Sequence, residues 1–349
     1  MKKRFADIAL YRDDLKRVID TVDGIDRLYG ADFVLSGSSG MIGSFLADIL
    51  LYLNETRNAH IKIVAIGRNM SSVRERFGDR SDLTFEEFDL KAPTMLHDNA
   101  DYVIHAAGNS DPAAFNRDPV GTINGNIAGT GALLDFASAR QCRRFLYVSS
   151  GEVYGQGRMG DDPYKEDYGG YVDPMSVRSC YPMSKRAAET LCAAYGAQHG
   201  LDTVVVRPSH IYGPCFRQSD SHAYVQFLQN ALNGNDIVLK SKGASVRSYS
   251  YVADCAAGIL LALIGGSAGE AYNIANPDSI ISIAELAKEI AAAAGVGVTY
   301  SDPGDEDIRN MSPIVRQVLD AGKLMKLGYR PQYTVKEGIR HTFEILKEL

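Results

Sequence analysis

Short apolar runs along the chain alternate with longer stretches whose apolar residues return every three or four positions, the pattern of strands interleaved with helices. Asp32-Phe33-Val34-Leu35 predicts a first strand, and SFLADILLYL from Ser44 to Leu53 predicts the helix that follows it. Further buried strands are predicted at Ile61 to Ile66, Leu83 to Phe88, Tyr102 to His105, Phe145 to Ser149 and Thr203 to Arg207. Helical periodicity separates most of them, most clearly over Thr122 to Ala139 and Tyr181 to His199. Such alternation predicts an α/β fold built on a doubly wound parallel sheet covered on both faces. Ahead of it, Ile8, Leu15, Val18, Ile19, Val22 and Ile25 fall at helical spacing in a polar lead-in.

After Arg207 the rhythm changes: Pro208 and Pro214 are followed by mixed short elements up to Ser250. A helix from Val252 to Leu263 reads as a return to the first domain, and Ser282-Ile283-Ala284-Glu285 is a capping box opening a helix to Ala294. A last helix is expected from Glu337 to Leu349. The expected division is a helical lead-in over 1–28, a dinucleotide-binding domain over 29–206 plus 251–266, and a smaller α/β substrate domain over 207–250 plus 267–349.

Composition narrows the function. The 349 residues include 45% hydrophobic and 23% charged side chains, an ordinary globular balance. With 43 acidic against 37 basic residues the chain carries a formal charge of −6, which argues against a nucleic-acid partner. The five cysteines show neither zinc-ligand spacing nor a disulfide framework, so no metal is expected and a reducing, cytoplasmic compartment is. No apolar run is long enough for a membrane span, and the charged first twenty residues lack a signal-peptide core.

Between the first strand and its helix, Gly37, Gly40 and Gly43 form GxxGxxG, with Ser39, Met41 and Ile42 in the same turn. Glycines there permit the tight turn and let backbone N–H groups meet a pyrophosphate at the helix N-terminus, which predicts a dinucleotide site. The end of the second strand, where an NAD site usually carries an acid for the ribose, is Gly67-Arg68-Asn69. Arg68 suits a 2′-phosphate and favours NADP over NAD. Asp89 is placed to accept from an adenine amino group.

Tyr181 and Lys185 lie four residues apart on one helix face, where Lys185 would favour the phenolate and make Tyr181 a base. The strand FLYVSS and the following GEVYG bring Ser149, Ser150 and Glu152 to the C-terminal sheet edge, where ligands bind in open α/β folds. With His105-Ala106-Ala107, Asn126 to Thr130, Arg207 to Pro214 and Arg247-Ser248-Tyr249 added, the chain resembles the extended short-chain dehydrogenases/reductases that act on nucleotide sugars, over about Asp32 to Phe343.

The resemblance implies a Rossmann-type cofactor domain and a shared first step. Tyr181 takes the proton of a sugar 4-hydroxyl while hydride leaves C4, with Ser150 on that oxygen. It implies cofactor contacts at Leu90, Ala106, Ala107, Gly108, Asn126, Ser149 and Pro208 beside those above, and a homodimer formed through the two long helices. Glu152 stands where dehydratases and decarboxylases carry Glu, but Gly151 stands where 4,6-dehydratases carry Asp and decarboxylases usually Ser. A 4-epimerase is therefore expected slightly ahead of a dehydratase or decarboxylase, with a 4-keto reductase behind. Arg247 is the candidate for the substrate diphosphate or a C6 carboxylate, and His210 for the phosphates. Arg178, three residues before Tyr181, reads as a solvated side chain. A non-catalytic NADP-sensing protein of the same fold is the other class, disfavoured because Ser150, Tyr181 and Lys185 occur together.

Overall fold

The computed structural model describes residues 3–93, 96, 99–158, 160–304, 312 and 314–349, so Met1 and Lys2 of the lead-in lie outside the described residues. Six strands come first: β1 (Asp32–Ser36), β2 (Lys62–Gly67), β3 (Leu83–Glu87), β4 (Tyr102–His105), β5 (Arg144–Val148) and β6 (Thr203–Pro208). Then follow β7 (His210–Tyr212), β8 (Ile237–Leu239), β9 (Val246–Tyr251), β10 (Ala271–Ile274), β11 (Ile280–Ser282), β12 (Val298–Tyr300) and β13 (Arg316–Gln317). The interleaved helices include α1 (Ala9–Thr21), α2 (Met41–Arg57), α3 (Met70–Phe77), α4 (Pro112–Arg117), α5 (Pro119–Ala139), α6 (Cys180–His199), α7 (Ala223–Leu232), α8 (Val252–Gly265) and α9 (Ile283–Ala294).

The main sheet runs β10-β6-β5-β4-β1-β2-β3, and all its pairs are parallel. Helices on both faces explain why its strands are apolar almost throughout: Phe33, Val34 and Leu35 of β1 are all buried. This is the doubly wound Rossmann-type fold expected. Strand order reverses at β1, between β2 and β4, and the loops after β1 and β4 open a crevice there.

The expected boundary at 266 placed everything beyond it in the substrate domain, whereas β10 pairs with β6 at the edge of the main sheet. Its Ala-Tyr-Asn-Ile sequence is short and carries Asn273, which is fully buried and held by Tyr154 Oη at 2.6 Å. β9 pairs with β7, β11 and β13 in a second sheet beside the crevice.

The lead-in helix is part of the core. α1 packs on α2, α8 and the C-terminal helix Val335–Glu348. Asp14, fully buried, accepts hydrogen bonds from Tyr251 and Tyr333 at 2.7 Å each, and His341 Nδ1 lies 2.8 Å from it. One turn earlier, Tyr11 donates to Asp48 of α2 at 2.6 Å, and Arg76 of α3 pairs with the same carboxylate at 2.5 Å. Among the described residues, no helix is long and apolar enough to cross a membrane.

Candidate active site

A cleft of about 640 Å³ follows the C-terminal edge of the main sheet. Its floor is the turn after β1. Gly37 has φ +79°, and a Cβ there would lie 2.7 Å from the Ala106 backbone. A Cβ on Gly43 would lie 2.2 Å from the Gly37 carbonyl oxygen, so the turn and the first turn of α2 touch backbone to backbone. His105 braces this floor from β4. Its Nδ1 lies 2.7 Å from Ser36 Oγ, which also accepts from the Ala107 N–H at 3.0 Å, and its Nε2 lies 3.1 Å from Thr130. Burial first, then the charge of Lys185, pulls the imidazole pKa down to about 3, so His105 is neutral.

Every predicted cofactor residue from Gly37 to Pro208 lines this cleft except Lys185: the 37–43 turn, Arg68, Asn69, Asp89, Leu90, Ala106 to Gly108, Asn126, Ser149, Tyr181 and Pro208. Two of them already have local duties. Asn69 Oδ1 caps α3, accepting from the Ser71 and Ser72 N–H groups, and Asp89 accepts from the Lys91 N–H at 3.0 Å. A glycine cradle opening onto a helix N-terminus, with Arg68 exposed at the far end, fits a dinucleotide.

At the other end of the cleft, β5 runs into Ser149-Ser150-Gly151-Glu152, and α6 presents Tyr181 and Lys185. Tyr181 is buried and stacked on Phe115 of α4, ring centroids 4.7 Å apart and planes within 20°. Ser150 hydrogen-bonds the phenol, and its Oγ also accepts from the Glu152 N–H at 3.1 Å. Lys185 Nζ donates to the Val148 carbonyl at 2.9 Å and lies 5.9 Å from the Tyr181 ring. Asn126 of α5 donates to Ser184 at 2.9 Å, fixing α6 beside the sheet.

Burial, then the Glu152 charge, pushes the Tyr181 phenol well above its ordinary range, while Ser150 and Arg178 pull it back in part. Lys185 is brought down to about 8, because burial disfavours the ammonium.

Glu152 is ion-paired, and its partner is Arg178, at 2.8 Å. The expectation of a solvated arginine is thus corrected: Arg178 is 16% exposed, with its guanidinium 4.6 Å above the Phe115 ring. Arg178, Phe115 and Tyr181 form one stack. Arg247 needs a second correction. Its side chain is buried and donates to the Val246 carbonyl at 2.9 Å and to the Ile314 carbonyl, and it does not line the cleft. Two backbone carbonyls, one on β9 and one two residues before β13, have taken the fork expected to hold an anion. His210 does line the cleft, and burial, Arg247 and His222 together hold its imidazole neutral.

Three features in and behind the cleft wall went unread in the sequence. Phe115 sits in a six-residue helix too short for a periodic signal. Arg217 reaches back to Ser39 of the glycine turn, donating to its hydroxyl at 2.7 Å. Asp220 holds His222 Nδ1 at 2.5 Å. The only trace of the last two was a polar run, Arg217 to His222, after Tyr212-Gly213-Pro214.

Comparison with known proteins agrees with this geometry. Residues 33–275 match the model of the NAD dependent epimerase/dehydratase family. The chain belongs to that family. UDP-glucuronic acid decarboxylase 5 of Arabidopsis thaliana is 30% identical over 309 residues, covering 88% of this chain and 86% of its own. A dTDP-glucose 4,6-dehydratase from Streptomyces venezuelae, solved with NAD bound, superposes with a TM-score of 0.75 at 25% identity, over 91% of this chain and 97% of its own. The fold is also that of a UDP-glucose 4-epimerase from Thermotoga maritima, with a TM-score of 0.76 at 23% identity over 91% and 99% of the two chains. As a member of the epimerase/dehydratase family, the protein is an enzyme that works with NAD or NADP.

Proposed function

We propose that the enzyme oxidises C4 of a nucleotide-linked hexuronic acid and releases C6 as CO2. The observation that carries this is the pairing of Glu152 with Arg178 beside Tyr181 while position 151 is a glycine and offers no acid. A Cβ on Gly151 would lie 3.1 Å from Leu319 and 3.3 Å from the Pro208 carbonyl. Loss of water across C5 and C6 needs a donor for the departing hydroxyl, and Gly151 supplies none. Loss of CO2 needs none, because a 4-ketone makes the C6 carboxylate a β-keto acid. Simple 4-epimerisation has no use for an arginine-paired carboxyl group in this wall. The Arabidopsis decarboxylase relative supports the same reading.

Tyr181 accepts the C4 hydroxyl proton, and Ser150 donates to the oxygen as it becomes a carbonyl. Held by the glycine turn and the cleft wall, a nicotinamide cofactor would supply the hydride acceptor and donor for C4. Lys185, buried and held by Val148, supplies the positive charge that makes a phenolate tolerable. When the C5–C6 bond breaks, its electron pair moves onto the C4 oxygen, where Tyr181 and Ser150 stand as donors. Arg68, exposed at the end of β2, supports NADP as the preferred cofactor.

The test is incubation with a panel of nucleotide sugars read by mass spectrometry. UDP-glucuronic acid, with cofactor, is expected to lose CO2. Loss of water from a neutral hexose, or an isomer of unchanged mass, would replace this reading with dehydratase or epimerase.

We also propose a homodimer through α5 and α6. Val120, Ile123 and Met183 leave apolar surface exposed there, at 66%, 38% and 38%. Sedimentation velocity is expected to show a particle of twice the 38.0 kDa chain mass. A single monomer species at micromolar concentration would refute it.

A further inference from the structure

We propose that His222 is a second acid of this active site, giving through Nε2 the proton that C5 receives once CO2 has left. The inference rests on the decarboxylase reading and names the donor that reading lacks. Tyr181 and Ser150 are engaged at the C4 oxygen, and Glu152 is paired with Arg178. The carbanion equivalent at C5 still has to be protonated.

The geometry is that of a carboxylate–imidazole dyad. Asp220 lies 2.5 Å from His222 Nδ1 and also accepts from the His222 backbone N–H at 2.9 Å. That bond fixes the tautomer and leaves Nε2 as the nitrogen free to exchange a proton. His222 lines the same cleft as Tyr181, Ser150 and Glu152.

The dyad's position along the cleft follows from its tethers. At one end of its segment Arg217 grips Ser39, at the glycine turn. At the other end Ser221 donates to Asp111, the residue that caps α4 through the Ala113 N–H. Phe115 of α4 is the ring against which Tyr181 stacks. The segment therefore runs from the pyrophosphate end to the catalytic end, and His222 belongs to the latter.

The titratable groups that face His222 come from several elements. They are Asp220 on its own segment, Asp111 before α4, Glu152 after β5, and His210 on β7. Burial opposes the imidazolium, but Asp220, Asp111 and Glu152 outweigh it and raise the pKa above its ordinary value. A histidine so held keeps its proton to higher pH than a free imidazole and can yield it. The step balances: CO2 leaves with its electron pair passing to the C4 enolate, the enolate takes the Nε2 proton at C5, and solvent reprotonates the imidazole.

The experiment is turnover of UDP-glucuronic acid by the complete enzyme with cofactor in D2O, the pentose product being read by NMR. The wild type is expected to place one deuterium at a single prochiral position on C5. His222→Gln is expected to spread it over both positions and to slow product formation about 100-fold. One position and an undiminished rate in His222→Gln would overturn the role. Asp220→Asn leaves the imidazole in place but removes the charge that raises its pKa, so the alkaline limb of the kcat profile should move to lower pH. An unmoved limb overturns the role equally. Wild-type enzyme that releases no CO2 overturns the decarboxylase reading and this role together, and does so before any variant is made.

Discussion

Tyr181→Phe is expected to lower turnover of the nucleotide sugar by about 10³-fold or more, the range lost with a general acid–base group. Its affinity for the cofactor should stay near that of the wild type. The ring that replaces the phenol keeps the stack on Phe115 at 4.7 Å, so the fold of this corner is preserved. What disappears is one hydroxyl, with its hydrogen bond to Ser150. Titration of the variant with NADPH or NADH by fluorescence separates binding from chemistry. Undiminished turnover would remove Tyr181 from the mechanism.

Asp14→Ala is expected to destabilise the protein by about 3–5 kcal/mol, the range for breaking a buried charged network. The substitution strands the Tyr251 and Tyr333 hydroxyls and the His341 Nδ1, all of which meet the Asp14 carboxylate within 2.8 Å. Each stranded buried donor costs about 1–3 kcal/mol. Asp14→Asn keeps an acceptor oxygen and should lose less. The urea midpoint measures both. A change in Asp14→Ala below 1 kcal/mol would mean that the network contributes little.

What the sequence disclosed was local. The glycines at 37, 40 and 43 and the pair Tyr181 and Lys185 are read from spacing along one turn or one helix, because their geometry is set there. The apolar strands β1, β2 and β4 to β6 were legible for the same reason, since a parallel sheet covered on both faces demands continuous burial, whereas only Leu83 is buried in the edge strand β3. What stayed hidden depends on segments far apart in the chain. Arg178 meets Glu152 across 26 positions and Arg217 meets Ser39 across 178. A solvated arginine and a paired one look identical in the sequence. Arg247 sat in the expected motif, and only its neighbours, the Val246 and Ile314 carbonyls, reveal that its donors are engaged elsewhere. β10 escaped because four residues with a buried Asn273 give no periodicity to read.

The meeting of α1 with the C-terminal helix carries a consequence for the order in which the protein is made. Asp14 emerges from the ribosome early, whereas Tyr251, Tyr333 and His341 follow by 237, 319 and 327 positions. Synthesis at about 5–20 residues per second leaves α1 without those partners for tens of seconds. Throughout that interval the apolar face of α2 that α1 covers depends on it holding station without the partners of Asp14. Nascent chains stalled before residue 333 should therefore be cut by protease between α1 and β1, and chains released past residue 341 should resist.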